Sequence, residues 1–316
     1  MPSRCFTRLG VLVATLALTA ACHDDASVNP RVEPFDAAGA LAKFEPVAAV
    51  LDQGVFKSFY GALPVFEHFF RSGDSSPGIP PGVLGQTFVY DPTSKLYVVD
   101  QHATGAPANG VRFVLYAWEQ TQLAPASPLT RLGYVDLAPA NGGNSGEATR
   151  ILMVRDAGQT AIADFVVAHG FTADIQSFGI AGSATDGTTT MNISLDGTRT
   201  AANPHHLVFD VTLSSQALGI RAVERLTFDQ ATAAQGEKLE LNYDGHTLTD
   251  ENVGNGLEVK YDGALYSNVV FATGGQATKY LKPDGSTLAD HEVVDLNALL
   301  NRVVSTNFFW IELVWP

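Results

Sequence analysis

Hydrophobic residues recur at two different periods along this chain, and the change of period divides it into a helical region and a strand region. Over residues 35–71 they are spaced by three or four positions, as on one face of a helix. The residues that set this spacing are Leu41, Phe44, Ala48, Leu51 and Val55. Pro46 and Gly54 are expected to interrupt the helix, because neither residue is favoured in a helix interior.

From residue 85 to residue 283 the period falls to two, which predicts strands. In Lys238–Tyr243, for example, Leu239 and Leu241 alternate with charged or polar neighbours. Such alternation is typical of an antiparallel sheet with one packed face and one solvated face. Three segments are more continuously apolar, and we expect them to be central strands covered on both faces. They are Val111–Trp118, Arg150–Arg155 and Ala161–Ala168.

Eight Asn-Gly or Asp-Gly pairs lie along the chain, many of them between predicted strands. Both pairs tolerate the positive φ angles of tight hairpin turns, so neighbouring strands should follow one another directly. We count about thirteen to fifteen strands, and a sheet of that length is expected to curl. The predicted fold is mainly β, a long antiparallel meander that forms an open sheet or a barrel-like shell.

A helical period returns near the end of the chain, over residues 287–304. Thr287 is the expected N-cap, Asp290 and Glu292 suit the first turn, and Arg302 suits the last turn because of the helix dipole. The apolar stripe of this helix consists of Val293, Leu296, Leu300 and Val303. A final strand is predicted over residues 306–315. Both helical regions are expected to pack on the sheet, within a single domain that spans residues 35–316.

The N-terminus has the three parts of a secretory signal: the basic residues Arg4 and Arg8, an uncharged apolar run, and small residues before Cys22. Residues 18–22, Leu-Thr-Ala-Ala-Cys, resemble the lipobox of bacterial lipoproteins, with Thr19 in place of the more common leucine. The resemblance implies a signal peptide at residues 1–21 and acylation of Cys22, with palmitate as one of the acyl chains.

The polar residues 22–34 would then be a flexible tether between the lipid bilayer and the folded body. His23 follows the cysteine where enteric lipoproteins kept at the inner membrane carry aspartate. The resemblance therefore places the protein in the bacterial cell envelope, anchored to the outer membrane.

Charge and cysteine content narrow the classes of function. The net charge is −14, and removal of residues 1–21 with their two arginines makes it −16. An acidic chain without a basic cluster is repelled by nucleic acid, so we expect no nucleic-acid partner. After removal of Cys5 with the signal, Cys22 is the only cysteine, which excludes disulfides and cysteine nucleophiles from the folded body. We expect no cofactor and no metal.

Candidate catalytic groups are sparse. No two histidines have the i, i+2 or i, i+4 spacing of metal ligands on a strand or helix. Asp100 and His102 place a carboxylate and an imidazole at the start of a Gly- and Pro-rich loop, and they are the weak catalytic candidates. Asp244 and His246 have the same spacing but span a predicted turn. Ser145, in a Gly-Gly-Asn-Ser-Gly segment, is more simply part of a turn.

Three hypotheses of function follow. The favoured one is a non-enzymatic envelope lipoprotein whose sheet binds an apolar or amphipathic ligand, or an envelope protein. Aromatic residues occur through the first strands, where a carbohydrate or apolar ligand could stack, although packing in the core or on the sheet surface is the default explanation for them. They are Tyr90, Tyr97, Tyr116, Trp118 and Tyr134. The alternatives are a secreted hydrolase that uses Asp100 and His102, and a structural or adhesive surface protein.

Overall fold

A long β-sheet with helices on one face forms the part of the chain that the computed structural model describes. The described residues are 35–66, 79–119, 121, 124–140, 147–171, 174–200, 203–229, 234–272 and 277–314. Residues from Phe35 onward form one compact unit. Residues 1–34, with the predicted signal, Cys22 and the tether, lie outside the described residues, as does Ser145.

Two helices precede the sheet. Helix α1 spans Ala37–Ala48, and the Asp36 carboxylate accepts a hydrogen bond from the Gly39 amide at 2.8 Å as its N-cap. Pro46 lies in the last turn of α1, and a 3-10 turn follows directly at Ala49–Asp52. Helix α2 spans Gly54–Phe66, so the expected break before Gly54 is present.

Seventeen strands follow within the described residues. They are β1 (Thr87–Asp91), β2 (Leu96–Val99), β3 (Val111–Tyr116), β4 (Trp118–Glu119), β5 (Ala124–Pro125), β6 (Arg131–Pro139), β7 (Glu147–Arg155), β8 (Thr160–Phe171), β9 (Ile175–Thr185), β10 (Thr190–Thr200), β11 (Asn203–Ser215), β12 (Ile220–Asp229), β13 (Ala234–Tyr243), β14 (His246–Val253), β15 (Gly256–Tyr261), β16 (Ala264–Val270) and β17 (Lys279–Leu281).

Fifteen of these strands form one open sheet in the order β17-β16-β15-β14-β13-β12-β11-β10-β9-β8-β7-β6-β3-β1-β2, while β4 and β5 pair separately. From β6 to β17 every strand is antiparallel to its neighbour in the chain, as the turn residues predicted. The β1–β3 pair is parallel. This exception arises because β2 returns antiparallel on one side of β1, and the following loop carries the chain back to the other side.

The sheet has a helix-covered face and an open face. Residues directly opposite one another on neighbouring strands share a face, and one such row is buried across β8 to β16. Its members are Val167, Ile180, Leu195, Val211, Glu224, Leu239, Asp250, Val259 and Ser267. Ion pairs such as Lys238–Glu251, at 3.5 Å, lie on the open face.

The expectation that the central strands are covered on both faces is wrong for the part of β7 and β8 that carries Arg150 and Asp164. Arg150 of β7 and Asp164 of β8 form an ion pair of 2.5 Å on the open face, with side chains 52% and 45% exposed. The bulge at Met153 and Val154 leaves Ile162 of β8 without a register partner on β7. Val154 opposes Tyr134 of β6 on the open face and is nevertheless only 5% exposed. On the open face of β7, Leu152 is only half-buried.

The C-terminal helix, α3, spans Asp290–Val314, so the final strand predicted over residues 306–315 is wrong. The stripe of Val303 continues at helical spacing through Asn307, Trp310 and Val314, and all four are buried. This period-3.6 stripe packs against β9, β11 and β12 and keeps residues 306–314 helical.

The expected capping of α3 is corrected as well. Thr287 forms an isolated bridge with Leu281, and the Ala289 amide donates to Glu292 Oε2 at 2.7 Å at the start of the helix. Arg302, expected in the last turn, lies in the middle of α3 and pairs with Glu45 and Asp52. These ion pairs join α3 to α1 and its following 3-10 turn.

Among the described helices, none is long and apolar enough to cross a membrane.

Candidate functional site

The predicted catalytic pair, Asp100 and His102, lies in the turn that follows β2. One carboxylate oxygen of Asp100 accepts a hydrogen bond from the backbone amide of His102 at 2.8 Å, and the side chain of His102 is exposed. The carboxylate therefore stabilises the turn through the backbone. Within the described residues, no group of three His, Cys, Asp or Glu side chains is placed to hold a metal ion. The hydrolase hypothesis gains no further support from this geometry and stays a prediction.

In the second candidate pair, Asp244 and His246 each pair with another residue. His246 Nδ1 lies 2.8 Å from Asp262 Oδ2, across the β14–β15 pair, whereas Asp244 forms an ion pair with Lys43 of α1 at 2.7 Å. The hydrogen bonds from His246 and from the Thr247 amide lower the pKa of Asp262. Both side chains are close to half exposed, so this pair closes the end of a hairpin.

The aromatic residues of the first strands serve packing where the structure describes their contacts. Tyr97 lies against Phe66 and Phe113 and donates a hydrogen bond to the Val114 carbonyl at 3.1 Å. Tyr134 lies under the Arg112 guanidinium, 3.6 Å from its ring centroid. The Trp118 ring packs on α2 at Gly61, where any side chain would collide with it. These three rings are therefore already engaged.

A shallow hollow lies near the β17 edge of the sheet. Its volume is about 350 Å³, at the small end of the range of about 300–1,000 Å³ for ligand pockets. The apolar residues that line it are Val253, Gly256, Leu257, Val269, Val270 and Leu281. Val253, Gly256 and Val270 oppose one another on β14, β15 and β16, on the open face.

Gly256 forms the low point of this hollow. A Cβ atom at this position would collide with the Val269 carbonyl oxygen, so the close approach of β15 and β16 requires glycine. The flanking side chains of Val253 and Val270 are 49% and 42% exposed. The hollow thus exposes apolar surface on a face that otherwise carries ion pairs.

Polar groups surround the apolar lining. Asn255, Glu258 and Asn268 complete the hollow, and Glu258 forms an ion pair of 2.9 Å with Lys260. The Phe271 amide donates to the Asn255 carbonyl at 3.0 Å, which ties the β14–β15 turn to the end of β16. An apolar floor with a polar rim suits an amphipathic molecule.

A cluster of acidic side chains lies on the opposite, helix-covered face. Glu224 of β12 and Asp250 of β14 are 0% and 1% exposed, and the half-buried Glu237 of β13 lies one row along the same face. Asn307 of α3 donates a hydrogen bond to Glu224 through its side-chain amide. This contact joins α3 to the sheet.

Burial governs the ionisation of these carboxyls. Desolvation raises the pKa of Asp250 to about 7 and the pKa of Glu224 well above its usual value, and the negative charge of Glu237 adds to both shifts. Burial alone raises the pKa of Glu237. No ion pair within the described residues joins any of the three to a lysine or arginine.

Sequence reasoning missed this group, although its signal is present in the chain. Ala222 and Leu226 lie on the apolar side of their strand, and Glu224 lies between them on that same side. Asp250 likewise lies two residues after Leu248, on the apolar side of the next strand but one. A charged residue at an in-phase position of a half-buried strand predicts a buried charge.

Comparison with known proteins adds no relative: no family model matches the chain, and no curated protein or solved structure matches it either.

Proposed function

We propose that this protein is a lipid-anchored lipoprotein of the bacterial envelope whose folded body binds an apolar or amphipathic ligand without catalysis. The observation that carries the ligand-binding part is the hollow at Gly256. Its lining is apolar, two of its valines are close to half exposed, and amide and carboxylate groups stand at its rim. Binding there would remove exposed apolar surface from water.

The anchoring part of the proposal rests on the sequence. Leu18–Cys22 resembles a lipobox, and thirteen residues from Cys22 to Pro34 precede the first described residue, Phe35. A chain of that length can span at most about 45 Å. Phe35 packs on Tyr261 and Tyr266, each with ring centroids 5.0 Å away, so the tether would join the body beside β15 and β16.

Ligand binding is tested on the chain from His23 to Pro316, which carries no cysteine. A long-chain fatty acid and a fluorescent apolar probe, 1-anilinonaphthalene-8-sulfonate, are titrated by calorimetry and fluorescence. Val270→Asp places a charge in the hollow and should weaken binding at least about tenfold, because burying an unpaired charge costs more than 1.4 kcal/mol.

Val98→Asp is the matched control. Val98 is an exposed valine of β2, at the other edge of the same sheet, and its replacement should leave binding unchanged. Equal binding by the wild type and the Val270→Asp variant, or no binding by either, contradicts the proposal.

Anchoring is tested separately by metabolic labelling with palmitate. The wild-type precursor should be labelled and shortened, and Cys22→Ala should abolish both changes. Labelling that persists in Cys22→Ala refutes acylation at this cysteine, whatever the outcome for ligand binding.

A further inference from the structure

Three acidic side chains on neighbouring strands lie together beneath α3, on the face opposite the hollow. Glu224 and Asp250 both oppose Leu239, so they lie on the same row with one strand between them. Glu237 opposes Leu226, one row further along β13. The electrostatic influence of Glu237 reaches both of the buried carboxyls, which places the three groups in one cluster.

Several oxygens of this cluster have no hydrogen-bond donor. Glu224 Oε1, Asp250 Oδ1 and Asn307 Oδ1 are fully shielded from water and make no hydrogen bond. Each belongs to a side chain that is at least 99% buried. A buried acceptor without a donor is costly, and a proton on a carboxyl removes the charge and supplies a donor.

Within the described part of the chain, no cation takes the place of the proton. Other inward-facing neighbours on these strands include Val211 of β11, Ala222 and Leu226 of β12, Leu241 of β13, Leu248 and Asn252 of β14, Val259 of β15 and Ser267 of β16. On α3, Arg302 pairs with Glu45 and Asp52, and Glu312 bonds to Tyr60. Three carboxyls therefore face aliphatic, hydroxyl and amide groups.

From this geometry we propose that Glu224, Glu237 and Asp250 form a proton-binding site that controls how tightly α3 docks on the sheet. With protons bound, the carboxyls are neutral and α3 covers them through Asn307. When the protons leave, negative charges are trapped beneath the helix, and local opening of α3 becomes less costly because it admits water to them.

The sign of the pH effect follows from the direction of the shifts. Since the pKa of each group is raised in the folded protein, each contribution to docking is complete below the unfolded pKa near 4 and is lost as the pH rises through the raised pKa, which is about 7 for Asp250. Because one pKa unit corresponds to a tenfold change in an equilibrium, opening of α3 should increase at least about tenfold between pH 5 and pH 8.

The experiment is hydrogen–deuterium exchange on the purified full-length protein at pH 5 and pH 8, with rates corrected for the intrinsic effect of pH. Amides of Leu299–Val314 in α3 should lose at least about tenfold in protection at pH 8, and those of Thr190–Thr200 in β10 should change less. In Glu224→Gln/Asp250→Asn the protection of α3 should depend on pH less than in the wild type, because only Glu237 of the cluster can still lose a proton.

Glu251→Gln is the matched control. This glutamate is the chain neighbour of Asp250 on the open face, 53% exposed, and its replacement should leave the pH dependence intact. Protection of α3 that is independent of pH in the wild type overturns the proposal, as does a pH dependence that is as large in the double variant as in the wild type.

A measurement on the wild type alone guards against a double variant that fails to fold. Carboxyl carbon resonances followed by ¹³C NMR should include at least one Asp or Glu that titrates above pH 6, and titration of every carboxyl below pH 5 overturns the proposal. Restoration of α3 protection at pH 8 by millimolar Ca²⁺ would also overturn it, because the cluster would then be a cation site.

Discussion

At the scale of single residues, two ion pairs of the same kind occupy different environments. Arg112 and Asp136 lie on β3 and β6 with side chains 15% and 13% exposed, and two hydrogen bonds of 2.6 and 2.7 Å join them. The hydrogen bond and charge of Asp136 help to raise the pKa of Arg112. Arg150 and Asp164 share this two-bond geometry in an exposed setting.

We predict that Asp136→Asn destabilises the fold by about 2–4 kcal/mol, because it leaves the Arg112 charge largely buried without its counter-charge. Asp164→Asn should cost less than about 1 kcal/mol, since water screens the exposed pair. Urea unfolding at pH 7 measures both. Equal losses for the two variants would contradict the argument from burial.

Asp100 and His102 show at the same scale what spacing leaves undecided. A carboxylate two residues before an imidazole can form a catalytic pair with the ring or accept a hydrogen bond from the backbone of a turn. Asp100 does the latter, since it accepts from the backbone amide of His102. His246 is a similar case, since its partner Asp262 comes from the next hairpin. Pairing of side chains across strands depends on register, which spacing along the chain does not contain.

At the scale of elements, α2 depends on a residue without a side chain. Gly61 lies under the Trp118 ring, and a Cβ atom there would overlap the ring. We predict that Gly61→Ala costs about 1–3 kcal/mol through displacement of the ring, although alanine favours helix.

Thermal unfolding and near-UV circular dichroism of the tryptophan band measure this effect. Gly82→Ala is the control, because a Cβ atom at that glycine meets nothing within 4 Å. A Gly61→Ala variant as stable as the wild type would show that Trp118 does not hold α2 in place.

The C-terminal helix gives a second prediction at this scale. Trp310 is fully buried on α3 and meets the Phe165 ring edge-on, with centroids 5.3 Å apart. Trp310→Ala should cost about 3–5 kcal/mol. Val294 lies on the same helix and is 63% exposed, so Val294→Ala should change the free energy of unfolding by less than about 0.5 kcal/mol. Urea unfolding measures both variants. A small effect of Trp310→Ala would contradict the docking of α3 on the sheet.

Helix α3 also shows where the local pattern failed. Its first half carries an unambiguous stripe, but Phe308, Phe309 and Trp310 in succession satisfy a strand and a helix alike. Burial resolves the ambiguity, because Val303, Asn307, Trp310 and Val314 all lie on the side that faces the sheet and α1. Tertiary packing therefore extended the helix through the segment predicted as a strand.

At the scale of the whole molecule, the carboxyls with shifted pKa values define a pH window of stability. The pKa of Asp164 is lowered by its hydrogen bond to Arg150, so its contribution is lost as the pH falls below about 4. The raised pKa values of Glu224 and Asp250 act in the opposite direction. Each contribution is lost as the pH rises through the raised pKa, which is about 7 for Asp250.

We therefore predict that the melting temperature is highest between about pH 4 and pH 7 and declines on both sides. Calorimetry from pH 3 to pH 9 measures this profile. The Glu224→Gln/Asp250→Asn variant should show a smaller decline on the alkaline side and keep the decline on the acidic side. A wild-type melting temperature that is flat from pH 5 to pH 8 would contradict the prediction.

The amino-acid sequence by itself determined the meander. Two-residue alternation specifies which side of each strand is apolar, and Asn-Gly or Asp-Gly turns such as Asp244-Gly245 and Asp262-Gly263 join strands directly, with positive φ at both residues. Local propensity suffices for this, because each pair of strands from β6 to β17 is adjacent in the chain.

Only the tertiary structure decided the rest. The parallel placement of β1 beside β3, the continuation of α3 to Val314, the hollow at Gly256 and the acidic cluster beneath Asn307 all join residues that are distant in the chain. The physical reason is that burial and register depend on which surfaces meet. A glutamate at an apolar position acquires its shifted pKa only once a helix 83 residues away covers it.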